Sequence, residues 1–85
     1  METRIALIGI IVEKDDAAEP LNALLHEYRE CVVGRMGIPY REKGVNIISV
    51  AVDAPQDQIN ALSGKIGRLD GVSAKTVYSN VKGTR

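Results

Sequence analysis

The sequence predicts an α+β domain in the order βαββαβ, a sandwich of one four-stranded antiparallel sheet with two helices on one of its faces. Three observations lead there. Four extended apolar segments alternate with two amphipathic ones, aspartate and proline mark the helix starts, and glycine-containing turns separate the pieces, all within 85 residues. That length holds one compact domain. With 45% hydrophobic and 26% charged residues, the chain has the composition of a folded protein and not of a disordered or fibrous one.

Each element has its own reason. Arg4 to Val12 is continuous, β-branched and too short for a buried helix, so it reads as a central strand covered on both faces. Glu13-Lys-Asp-Asp16 breaks it, and Asp15 or Asp16 is expected to cap the first helix, with Pro20 tolerated in the first turn. Ala17, Leu21, Leu24, Leu25 and Tyr28 make its apolar stripe, and the helix is expected to end near Glu30. Val32 to Tyr40 is extended but contains Gly34, Gly37 and Pro39, the mark of a bent or bulged edge strand. Glu42-Lys43-Gly44 is a hairpin turn, and Val45 to Val52 is a third strand, apolar at both parities. Asp53 is expected to cap and Pro55 to open the second helix, in which Ile59, Leu62, Ile66 and Leu69 repeat at three and four residues. After Asp70-Gly71, Val72 to Tyr78 is the fourth strand. The domain is therefore expected to span residues 1–79, with 80–85 a polar, frayed tail.

This is the split-βαβ, ferredoxin-like arrangement, in which right-handed crossovers place both helices on one face of the sheet. Strands one and three are central in it, and both carry apolar residues at odd and even positions. Helices cover one set. In a chain with no spare element the other set is expected to be covered by another copy, giving a dimer or tetramer through the open sheet face.

Eleven Lys plus Arg balance eleven Asp plus Glu, so no net field draws the chain to nucleic acid or an anionic membrane. The longest apolar run, Ile5 to Val12, is far short of the roughly 20 residues a membrane helix needs. The single Cys31 cannot form an internal disulfide, and Met-Glu-Thr-Arg at the start lacks the features of a signal peptide, so the expected location is the cytoplasm.

The most informative segment is Ala61 to Val77. It places Gly64 and Gly67 inside a helical pattern, where each costs about 1 kcal/mol relative to alanine. Asn60, Ser63, Gly64 and Gly67, at spacings of three and four, form a strip of small residues beside the apolar stripe. Such a strip admits a ligand or a partner backbone, or simply lets the helix sit close to its neighbour. Lys65 beside it is a candidate for an anionic ligand, or a solvated lysine. Asn60, Ser63, Gly64, Lys65 and Gly67 are thus the candidate effector or interface residues.

Other constellations carry less. Arg35, Arg41 and Lys43 flank the second strand and suit phosphate or carboxylate, but equally protect an edge or pair between subunits. His26 and Cys31 are the soft metal ligands, two where a stable zinc or nickel site wants about four, so no metal site is expected. Asp15, Asp16 and Glu19 are explained by helix capping. Three tyrosines with no Phe or Trp do not make a base-stacking RNA platform. There is no Ser/His/Asp set, no Cys-x-x-Cys and no phosphate loop, so neither an enzyme nor a cofactor is expected.

Four stretches together, Arg35-Met-Gly37-Ile-Pro39-Tyr-Arg41-Glu42, Asn46-Ile-Ile-Ser-Val-Ala-Val52, Ala61-Leu-Ser-Gly-Lys-Ile-Gly67 and Gly71-Val-Ser-Ala-Lys75-Thr-Val77, resemble the iron-only hydrogenase system regulator family. The resemblance covers essentially the whole chain. It implies a domain similar to ACT domains and to the C-terminal domain of nickel-responsive repressors, usually found in anaerobes. In function it implies a small transcriptional regulator of a hydrogenase system, a homo-oligomer holding a small effector between subunits. The nickel repressors' site uses several histidines, and this chain has His26 alone. The Glu19-Pro20-Leu21 loop lacks the glycine of ACT ligand loops, and the arginine loop of acylphosphatases is replaced by acids. No helix-turn-helix or ribbon arm remains for reading DNA, so regulation is expected to run through a partner or an unusual surface. The alternative is an assembly accessory with no ligand.

Overall fold

The computed structural model describes residues 2–84. Strand β1 (Glu2–Val12) leads through a 3-10 turn (Asp15–Ala17) into helix α1 (Ala18–Glu27). A second 3-10 turn (Arg29–Cys31) opens onto β2 (Val32–Tyr40), β3 (Val45–Ala54), α2 (Gln56–Gly67) and β4 (Val72–Thr84). The four strands form one antiparallel sheet in the order β2-β3-β1-β4, the ferredoxin-like arrangement. β1 and β3 are central, as their two-sided apolar character requires.

The core is the layer between sheet and helices. Ile8 and Ile10 of β1 and Val50 and Val52 of β3 are sealed by Leu21 and Leu25 of α1 and by Ile59, Leu62 and Ile66 of α2. Burying a side chain of that size contributes about 1.5–3 kcal/mol, so these two helical stripes fix the helices to the sheet.

Element boundaries depart from expectation where local polar chemistry decides them. No aspartate side chain caps α1: its N-cap is Ala17, and Asp15 and Asp16 lie in the preceding 3-10 turn. α1 stops at Glu27, and the residues toward Cys31 tighten into the 3-10 turn. Asp53 does not cap α2 either, because β3 continues to Ala54 and Pro55 takes the cap position. The orphan Gln58 amide is met by Asp57 Oδ1 at 2.9 Å and by the Pro55 carbonyl at 3.0 Å. β2 is the bulged edge strand expected, its register shifting between Val32 and Gly34.

β4 runs past Tyr78 to Thr84, where a frayed tail was expected. Beyond a register shift between Arg4 and Ala6 of β1, Lys82 pairs with Arg4 and Thr84 with Glu2. Polar residues sustain this because a ladder needs only backbone groups. The Arg4 guanidinium lies 4.9 Å from the Tyr78 ring centroid and donates to the Ser79 carbonyl, while the Val81 amide donates to Ser79 Oγ, which holds the irregularity together.

The two loops at the end of β1 and the start of β4 lock against each other. Glu13 N–H donates to the Gly71 carbonyl at 2.7 Å, and Lys14 Nζ meets Asp70 Oδ2 at 2.8 Å. That hydrogen bond and the charge behind it hold the Lys14 amine above its ordinary value and the Asp70 carboxyl below its own. Gly71 has φ of +80°, and a Cβ there would come within 2.6 Å of Lys14 Cγ. Gly71→Ala is therefore expected to destabilise by more than about 1 kcal/mol, lowering Tm by about 4–8 °C per kcal/mol in a thermal melt. An unchanged Tm would contradict this reading of the loop.

Candidate functional site

Strand pairing sorts the sheet residues into two faces. Leu7 of β1 stands opposite Ala51 of β3 and Val77 of β4, and Ile11 opposite Ile47 and Ser73. Met36, Ile38 and Tyr40 of β2 continue the same face through Ser49, Ile47 and Val45. This is the face turned away from the helices. Leu7 is 47% exposed, Val77 67% and Met36 72%, whereas their neighbour Ile8 is 0% exposed. Gly9 lies at its middle, and over it is a hollow of about 470 Å³ bounded by Ile11, Ile47, Ser49 and Lys75. A contiguous apolar surface spanning all four strands is more than the scattered exposed residues of an ordinary monomer.

The strip on α2 does not act as one surface. Asn60 Oδ1 accepts from the Tyr78 hydroxyl, and Ser63 Oγ shares a 2.6 Å hydrogen bond with Thr76 Oγ1. Both bonds tie α2 to β4. Lys65 turns toward α1, its ammonium 5.0 Å from the Tyr28 ring centroid and 3.4 Å from Glu27 Oε2. The Tyr28 side chain first, and the Glu27 carboxylate after it, hold this amine above its ordinary value.

The glycines remain accessible. A Cβ at Gly64 would touch only the tip of Arg68, at 3.7 Å, and one at Gly67 would meet nothing within 4 Å. Between the two helices is a hollow of about 400 Å³ lined by Leu24, Leu69, Lys65 and Arg68 among others, and neither glycine is part of its wall. Among the described residues no neighbour requires either residue to be glycine.

The remaining candidates scatter. Arg35 lies on the helix side of β2 and donates to Asn22 Oδ1 at 3.1 Å, while Arg41 lines a separate hollow with Asp15 and Tyr40. Lys43 is in the β2–β3 turn. Cys31 is buried, and its thiol donates to Gln58 Oε1 at 3.2 Å, whereas His26 is exposed on α1. Among the described residues no three His, Cys, Asp or Glu side chains gather as a metal would need. Also among them, no helix is long and apolar enough to cross a membrane. Sequence reasoning missed Thr76 and Tyr78 as the partners of Ser63 and Asn60. Their signal was present in the even-numbered positions of β4, which alternate onto the helix side.

Comparisons with known proteins bear on what this surface belongs to. Residues 4–76 match the family model described as TM1266-like, "Iron-only hydrogenase system regulator, putative". The structure of the uncharacterized protein TM1266 from Thermotoga maritima superposes with a TM-score of 0.86 at 38% identity, over 89% of this chain and 96% of that one. A protein of Saccharolobus solfataricus described as "Putative nickel-responsive regulator" is 24% identical over 66 residues, 78% of this chain and 49% of that protein. The chain thus spans about half the length of that curated relative.

The unequal roles along the strip give opposite expected mutational signs. Ser63→Ala strands the part-buried Thr76 hydroxyl and is expected to destabilise by about 1 kcal/mol. Gly67→Ala, with open space at the new methyl, is expected to stabilise by about 0.5–1 kcal/mol. Urea melts of the two variants check this, and a destabilised Gly67→Ala would show a close approach that the single chain lacks.

Proposed function

From its membership of the TM1266-like family of iron-only hydrogenase system regulators, to which the chain belongs, we propose that it acts as a small non-catalytic regulatory domain that self-associates through its open sheet face. The observation that carries the reading is the exposed apolar surface running through Met36, Ile47, Leu7 and Val77 across all four strands. Water contact with such a surface is unfavourable by about 25 cal/mol per Å² of apolar area, and an identical face on a second copy removes it on both sides at once. Binding of a small effector is the second part of the proposal. The accessible residues of the α2 strip, Gly64, Lys65 and Gly67, and the hollow between the helices are where it would act. The nickel response belongs to the description of the relative; in this chain His26 and Cys31 occupy different settings, one exposed and one buried against Gln58.

The assembly-accessory reading has one observation in its favour, since Asn60 and Ser63 are already engaged with Tyr78 and Thr76. A thermal-shift panel of metal ions, amino acids and nucleotides separates the two. A saturating rise in Tm with one class supports the effector, because a ligand at 100 times its Kd adds about 2.7 kcal/mol. Uniformly flat melting supports the accessory.

Self-association is tested by light scattering at micromolar concentration. The wild type is expected at a multiple of its 9.2 kDa mass. Leu7→Glu and Val77→Glu, paired across β1 and β4, are each expected to shift it to monomer, while Ala61→Glu on exposed α2 leaves it unchanged. A wild type of 9.2 kDa overturns the proposal.

A further inference from the structure

The C-terminal half of α1, the 3-10 turn after it and the start of β2 border an open groove of about 370 Å³ lined by Asn22, Leu25, His26, Arg29, Val32 and Arg35. Leu25 is buried and Val32 half-buried, so the floor is apolar. Two guanidiniums and an imidazole line it, and no acidic residue does.

That imbalance is not forced by composition, because the chain carries as many acids as bases. The ion pairs Lys14–Asp70 and Lys65–Glu27 involve neither Arg29 nor Arg35. Each arginine is instead anchored on a neutral acceptor of α1. Arg29 Nη1 donates to the His26 carbonyl at 3.0 Å, and Arg35 Nη2 donates to Asn22 Oδ1 at 3.1 Å. One bond of this kind holds a guanidinium in place while leaving most of its five N–H donors unused.

Two ordinary explanations cover only part of this. A cation near a helix C-terminus offsets the partial negative charge of the last carbonyls, which accounts for Arg29. Charge on an edge strand discourages strand addition, and that role suits a side chain directed to solvent. Arg35 is exposed, as that role needs, but it is also bonded across to α1, which the role does not explain. The register shift between Val32 and Gly34 sits between the two groove residues of β2, and such bulges re-aim the side chains beside them.

We infer that this groove is a binding site for a phosphate-bearing small molecule. Two planar forks match the oxygen geometry of a phosphate better than a lone ammonium does. The pair supplies the two positive charges that a phosphomonoester dianion needs, and the imidazole adds a further N–H donor. The volume is that of a small-molecule pocket.

The test is an NMR titration of the full chain with inorganic phosphate and with ribose 5-phosphate, at constant ionic strength, with ribose and acetate as controls. Saturating shifts confined to Asn22, His26, Arg29 and Arg35 are expected for both phosphates. Arg29→Gln and Arg35→Gln are each expected to weaken binding at least tenfold, while Arg41→Gln, in a separate hollow, leaves it unchanged. The amide spectrum of each variant verifies its fold. Linear, non-saturating shifts, shifts spread over all exposed lysines and arginines, or equal binding by acetate would each overturn the assignment. So would phosphate binding that persists in the Arg29→Gln, Arg35→Gln double variant.

Discussion

Everything in this fold depends on one mismatch: β1 is apolar on both faces, and the chain has helices for only one of them. Ile8 and Ile10 are sealed beneath α1 and α2, while Leu7 and Ile11, one residue away in each case, face outward. A strand's side chains alternate with period two, so the sheet cannot hide both sets by any shift of register. A slip by one residue merely exchanges the sets. The open face is therefore a consequence of strand geometry and sequence together, and its apolar character is what a self-association surface needs.

The same economy explains how the two sides of the sheet come to differ. On the helix side, polar residues that leave the apolar stripe find partners across the layer: Ser63 with Thr76, Asn60 with Tyr78, and Arg35 with Asn22. These bonds orient α2 on β4 and β2 on α1 without adding apolar area. Among the described residues no element stands over the open side to supply such partners. The residues there are mostly aliphatic, with Lys75 and the Ser49 and Ser73 hydroxyls around Gly9. One face is thus completed within the chain and the other is not.

How much of this was legible in the sequence follows from the range of each interaction. Element order, the bulged edge strand and the central position of β1 and β3 were readable, because they rest on periodicity and on Gly and Pro, which act locally. The open face was readable by subtraction, since two helices cannot cover two faces. Helix caps were not: Asp15, Asp16 and Asp53 are good cap residues by type, yet a 3-10 turn and a longer β3 displaced the helix starts. The extension of β4 was hidden because polar residues can hold a ladder through backbone bonds alone. The α2 strip was legible as a spacing but not as a division of labour. Asn60 and Ser63 turn to β4, Lys65 to α1, and the glycines to neither, which depends on the angle at which α2 crosses the sheet. The groove beside Arg29 and Arg35 joins residues of three elements across a bulge, and only the three-dimensional path brings them together.

The glycines of α2 extend the argument from the sheet to the helix layer. An alanine at Gly67 would save about 1 kcal/mol of helix propensity and collide with nothing in the chain. Gly64 is nearly as free, its only neighbour being the flexible end of Arg68. Local rules broken without compensation inside a domain are the ones to expect at surfaces used for something else. On the same helix Lys65 and Arg68, the residues that follow Gly64 and Gly67, line the hollow between Leu24 and Leu69. That surface lies on the outer side of the helix layer, away from the open sheet face. The two surfaces are therefore geometrically compatible: copies joined through their sheets would leave Gly64 and Gly67 of each α2 uncovered, and a group at one surface would not compete with association at the other.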